Sequence, residues 1–178
     1  LPMDEREDNT NVMAFDYTAK KVSDLIEDIK VKVFRSYVEH VMDNKQKSFG
    51  DTVAAVSAID PTVIGGRAEV GLNIGEGHMF VGTDYSNTMK SGTRTKNFYN
   101  MPPAMGNMPV FEEAIWSDAE IINNGVFAEY SNRFGTFNFI AAARLDLNNA
   151  KSGEINIYTP NGKKLKKTIA ETESRSEE

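Results

Sequence analysis

From Thr18 onward, apolar residues recur at three- and four-residue spacing: Val22, Leu25, Ile26, Ile29, Val33, Tyr37 and Val41. Lys20, Asp24, Asp28, Lys32 and Glu39 fall on other faces of the same period. This spacing predicts a long amphipathic helix with Asp16 or Thr18 as N-cap and an end near Gly50. Asp51 can cap a second helical turn set, TVAAVSAI. Pro61 and Gly65-Gly66 in PTVIGGRA then mark a tight connection. Beyond it Ala68, Val70, Leu72 and Ile74 alternate with Arg67, Glu69, Gly71 and Asn73, the period-two pattern of a half-buried strand. Gly75 to Gly77 turns the chain, and HMFVGTD from His78 is its expected partner strand.

Residues 85–113 show neither period and are expected to form a long loop. They hold Met89, Met101, Met105 and Met108, with Pro102, Pro103 and Pro109. Flexible thioethers suit an adaptable contact surface, and long loops in compact domains tend to be functional. Strand character resumes at Ala119 and takes in Val126 and Phe127, after an Asn-Asn-Gly turn at 123–125. FNFIAAARLDLNNA is compatible with strand and with helix, and is expected to pass from one to the other. Pro160-Asn161-Gly162 marks a hairpin ahead of a polar tail. The fold class so predicted is α+β: a long N-terminal helix packed on a mainly antiparallel sheet, with extended terminal arms and a long Met/Pro-rich loop. Its parts are an arm over 1–17, a domain over 18–150, and a hairpin with a polar tail over 151–178.

At 178 residues, with 40% hydrophobic residues, the chain can form one domain with a core. No stretch approaches the roughly 18 consecutive apolar residues of a helical membrane span, and the acidic N-terminus LPMDERED shows no apolar signal region. A membrane partner is not expected on these grounds. Without any cysteine the chain offers no disulfide, thiolate ligand or thiol nucleophile. A net charge of −6 argues against general nucleic-acid binding, which needs a basic stripe.

Candidate chemistry is sparse. His40 and His78 stand alone, without an HExxH motif or a two-histidine metal face, so neither is expected to be catalytic or metal-binding. No serine occupies a Gly-x-Ser-x-Gly elbow, and the glycines lack a phosphate-cradling pattern. Lys163, Lys164, Lys166 and Lys167 form the only dense basic cluster, expected to be a solvated edge. No cofactor, metal or enzymatic activity is expected.

Two segments in order, Pro61-Thr62-Val63-Ile64-Gly65-Gly66-Arg67-Ala68 and Asn123-Asn124-Gly125-Val126-Phe127-Ala128 with Arg133-Phe134-Gly135, resemble the tail-completion or neck proteins of long-tailed bacteriophages. FIAAAR matches the apolar segment that follows in that family. Ile64 stands where the family usually has Asp, and Arg133 where it has Glu. The resemblance spans about residues 18–145. It implies a structural virion protein forming a ring, hexameric in many members, at the head–tail neck. Its partners would be the head-side connector and the tail terminator or tube, with DNA passing through unbound. It further implies assembly in the host cytoplasm. Subunit or partner contacts are then expected at Met89, Met101, Pro102, Pro103, Met105, Met108, Arg133 and Phe134. The alternative from another class is a small-molecule-binding or sensory α+β domain with the 85–113 loop as its lid.

Overall fold

The structure, a computed structural model, describes residues 2–48, 50–99, 110–154, 157–158 and 172–177. Every regular element among them is a strand. In chain order these are β1 (Asp4–Lys20), β2 (Ile26–Asp43), β3 (Val53–Ile74), β4 (Gly77–Phe98), β5 (Val110–Phe134), β6 (Phe137–Ser152), β7 (Ile157–Tyr158) and β8 (Thr172–Glu177). They form one sheet in the order β1-β2-β3-β4-β5-β6-β8, with β7 paired to β5. All pairings are antiparallel. Each of the first five strands pairs with the next, so β1 to β6 run up and down across the sheet without a crossover.

The α+β expectation is therefore overturned. Where a helix was expected from Thr18 to Gly50, the chain makes the end of β1, a hairpin and β2. The cause is an alias between two periods. On β2 one face carries Ile29, Val31, Val33, Arg35, Tyr37, Glu39 and Val41. Arg35 and Glu39 interrupt this alternation, leaving Ile29, Val33, Tyr37 and Val41 four apart, which also matches one stripe of a helix. The β-branched and aromatic content of IKVKVFRSYVEHV favours the strand.

Other boundaries move for related reasons. TVAAVSAI and PTVIGGRA lie inside the 22 residues of β3. Pro61 carries no amide proton, and the β2–β3 ladder runs to Tyr37–Thr62 and resumes only at His40–Ile59. Residues 85–98 of the expected loop belong to β4, and FNFIAAARLDLNNA is all within β6. Residues 4–17 of the expected arm form most of β1, paired along β2. The strand over Ala68–Ile74, the glycine turn and its partner from His78 are found as expected, in β3 and β4. The hairpin at 160–162 and Lys163, Lys164, Lys166 and Lys167 lie outside the described residues.

The two ends of the sheet differ. At one end the turns are short: Lys21–Leu25, Gly75-Glu76 and Gly135-Thr136. Gly75 (φ 61°) and Gly135 (φ 60°) take the left-handed conformation such turns need. At the other end lie the longer connections, 44–52 and 99–109. Asn44 organises the first of these. It is fully buried; its Nδ2 donates to the Val53 carbonyl (2.6 Å) and its Oδ1 accepts from the Ala55 amide (2.7 Å). Replacing Asn44 with Ala leaves both backbone groups unpaired. We expect a loss of about 1–3 kcal/mol in denaturant unfolding, with faster hydrogen exchange at the Ala55 amide.

Candidate functional site

Directly paired residues share a face of a sheet, so the register sorts every side chain. One row runs Tyr17, Val31, Ala68, Thr83, Val126, Leu145 across six strands. The neighbouring row, one residue away, runs Asp16, Lys32, Arg67, Asp84, Gly125, Asp146. The first lies on one face and the second on the other. The contrast repeats in the next pair of rows: Ala19, Ile29, Val70, Val81, Ala128, Ala143 against Thr18, Lys30, Glu69, Gly82, Phe127, Arg144.

The apolar face has no cover among the described residues. Ala55 is the one buried hydrophobic residue among them. Phe15 (60% exposed), Val33, Tyr85, Val126, Leu145 and Phe137 (78%) all lie open on this face. Its apolar band runs from the row of Met13 and Ile64 to the short turns, where Tyr130, Phe134, Phe137 and Phe139 gather. Towards the long connections the same face turns polar, with Asn9 paired to Glu39, and Asp60 to Ser91. Glu120, beyond the band, is held by Lys151 Nζ at 2.5 Å. That hydrogen bond, and a second from Asn87, keep its carboxyl below the usual carboxylate range.

The polar face is ordered by ion pairs that run both across and along strands. Lys30 Nζ reaches Glu69 Oε1 (3.1 Å), and Arg67 Nη2 reaches Glu69 Oε2 (2.8 Å). Arg144 Nη1 meets Asp84 Oδ2 (2.8 Å) while its Nη2 meets Asp146 Oδ1 (2.5 Å). The Arg67 guanidinium lies 4.3 Å from the centre of the Phe127 ring. Glycines make room for these groups. A side chain at Gly82 would meet the Phe127 ring at 2.2 Å, and one at Gly125 would meet Arg144 Nη2 at 2.4 Å. Asn-Asn-Gly at 123–125 is thus no turn; it lies inside β5, with its glycine beneath a guanidinium.

Both histidines sit on the polar face. His78 Nε2 is 2.8 Å from Glu27 Oε2, and His40 Nδ1 is 3.5 Å from Asp8 Oδ2. Glu5, Asp8 and His40 each offer a ligand atom within 4.8 Å of the others, a spacing a divalent cation could bridge. Register brings these three together from two strands, which sequence spacing could not show. Of the expected contact residues, Met89 is 37% exposed on the apolar side. Arg133 Nε donates to the Gly135 carbonyl (3.1 Å) within its hairpin, and Phe134 pairs with Phe137 at the turn. Met101, Pro102, Pro103, Met105 and Met108 lie outside the described residues.

No protein-family profile matches the chain, and no curated protein matches it. Among solved structures, one described as "Copper transporter OprC" matches 98% of this chain with a TM-score of 0.74 and 18% sequence identity. The chain spans 28% of that protein. At this identity the likeness concerns the fold alone. It is a likeness to a transporter and not to a phage neck protein, so the resemblance on PTVIGGRA and INNGVFA is corrected, and with it the ring at the virion neck and the virion location. Those motifs were placed at turns, whereas both lie in the interiors of long strands. The sensory alternative falls with them, because residues 85–98 of its lid are strand β4.

The Asp84–Arg144 pair gives a direct test of the polar face. Asp84→Asn, Arg144→Met and the double variant should show a favourable coupling in a double-mutant cycle, reduced by added salt.

Proposed function

We propose that this chain is an arc of the wall of a transmembrane β-barrel, with its apolar face against lipid and its ion-paired face towards the lumen. The observation that carries the reading is the alternation itself. One face is apolar and uncovered, the other charged and internally paired, and the two trade places at every residue. In water an open apolar face of this size would be a severe aggregation hazard. In a bilayer it is the required surface.

The dimensions agree. Residues 64–74 of β3 place Ile64, Gly66, Ala68, Val70, Leu72 and Ile74 on the apolar face. Eleven residues span ~36 Å along a strand and ~26 Å of depth at a tilt of about 45°. That matches the apolar belt of such barrels, about 25 Å. The strands continue past the band towards the long connections, as they do where barrels have short turns at one rim and longer loops at the other. Aromatic residues beside the short turns correspond to an interfacial girdle. No helix among the described residues is long and apolar enough to cross a membrane, which says nothing about strands. Among the described residues β1 pairs with β2 alone, and membrane strands tolerate no open edge. Closure therefore needs further strands beside β1, from other copies or from more chain. The likeness to a copper transporter supports a role in moving solutes across a membrane, with the solute left open.

Adjacent alanines on β6 separate this reading from a water-exposed sheet. Ala142 and Ala143 are both exposed, but Ala142 faces Glu129 on the polar side and Ala143 faces Ala128 on the apolar side. Ala143→Arg should cost about 2–4 kcal/mol of folding free energy in lipid vesicles, while Ala142→Arg should cost well under half of that. Equal effects of the two substitutions would defeat the reading.

A further inference from the structure

The apolar face is not smooth. On β3, Gly66 and Ala68 sit low between the larger side chains of Met13, Phe15, Val33 and Tyr85, leaving an apolar hollow of about 690 Å³. Arg35 stands at its end nearest the long connections, in the row Met13, Arg35, Ile64. Within β1 to β6, between that row and the short turns, it is the only charged side chain on this face. It has no ion-pair or hydrogen-bond partner among the described residues, whereas Arg67, Arg94, Arg133 and Arg144 all do.

An unpaired guanidinium on a lipid-facing surface is costly unless it meets an anion. Arg35 lies at the edge of the apolar band, at the depth where lipid headgroups begin. Its planar fork suits the two free oxygens of a phosphate. From the row of Arg35 to the row of Ala68 is four residues, or ~13 Å along the strand, enough for the upper part of an acyl chain. We infer that this hollow holds one acyl chain of a phosphate-bearing lipid of the surrounding bilayer, with the lipid phosphate on Arg35. The assignment rests on the membrane reading above.

The test uses the full chain folded in detergent, stripped of lipid, and native mass spectrometry. Probes are dimyristoyl phosphatidylglycerol, dimyristoylglycerol with the same chains and no phosphate, and inorganic phosphate. The phospholipid should be retained about five- to tenfold better than the diacylglycerol, as expected for one cation at a lipid headgroup. Arg35→Gln should remove that preference. Ala68→Phe, which fills the hollow, should abolish retention of both lipids, and inorganic phosphate alone should not be retained. Undiminished phospholipid retention in either variant, or equal retention of the two lipids by the unaltered chain, would overturn the assignment. Flotation of each protein with vesicles is read separately. No flotation of the unaltered chain defeats the membrane reading and this site together, whereas flotation without phosphate preference defeats the site alone.

Discussion

Water against the face that carries Tyr17, Val31, Ala68, Val126 and Leu145 would be strongly unfavourable, and among the described residues no second layer covers that face. The hydrophobic effect rewards burial of apolar area at roughly 25 cal/mol per Å². A soluble sheet gains this by packing on a helix or another sheet. Here one small residue, Ala55, is the whole buried apolar set among the described residues. The sheet is held together by long antiparallel ladders, and its apolar side needs a surrounding that is itself apolar. Strand length, turn asymmetry and the position of the aromatic residues all follow from that need.

The opposite face solves a different problem. Closely spaced charges on one sheet face are stabilised when opposite signs are set side by side. Lys30, Arg67, Glu69, Asp84, Arg144 and Asp146 are matched across and along strands, so each of these charges has a partner within a few ångström. The glycines at 82 and 125 are part of this arrangement, since a Cβ at either would collide with Phe127 or Arg144. They weaken strand propensity locally and make the lattice of charges and rings possible.

Some of this was legible in the residues alone. Ala68 to Ile74 alternates without interruption, and the glycine turn after it is a true hairpin. Other parts were hidden by specific coincidences. Arg35 and Glu39 on the apolar face of β2 turned a two-residue period into a four-residue one, which fits a helix. Ala141 to Ala143 carried high helix propensity into a strand held by pairing on β5. Gly65-Gly66 and Asn123-Asn124-Gly125 looked like turns because only tertiary register shows what packs over each glycine. A strand with one apolar and one polar face also carries little apolar signal per segment, so such a face does not show in hydropathy along the chain. The uncovered face, the feature that matters most, exists only once six strands are set side by side.

Because the chain contains no cysteine, single cysteines carrying a nitroxide label can be placed one at a time without background. A scan from Phe139 to Leu147 on β6, in lipid vesicles, would compare collision with oxygen, which concentrates in lipid, and with a water-soluble nickel chelate. The account predicts a strict two-residue alternation: oxygen contact at 139, 141, 143, 145 and 147, and chelate contact or protection from both reagents at 140, 142, 144 and 146. Chelate contact at both sets of positions would show that the apolar face meets water, and would contradict it.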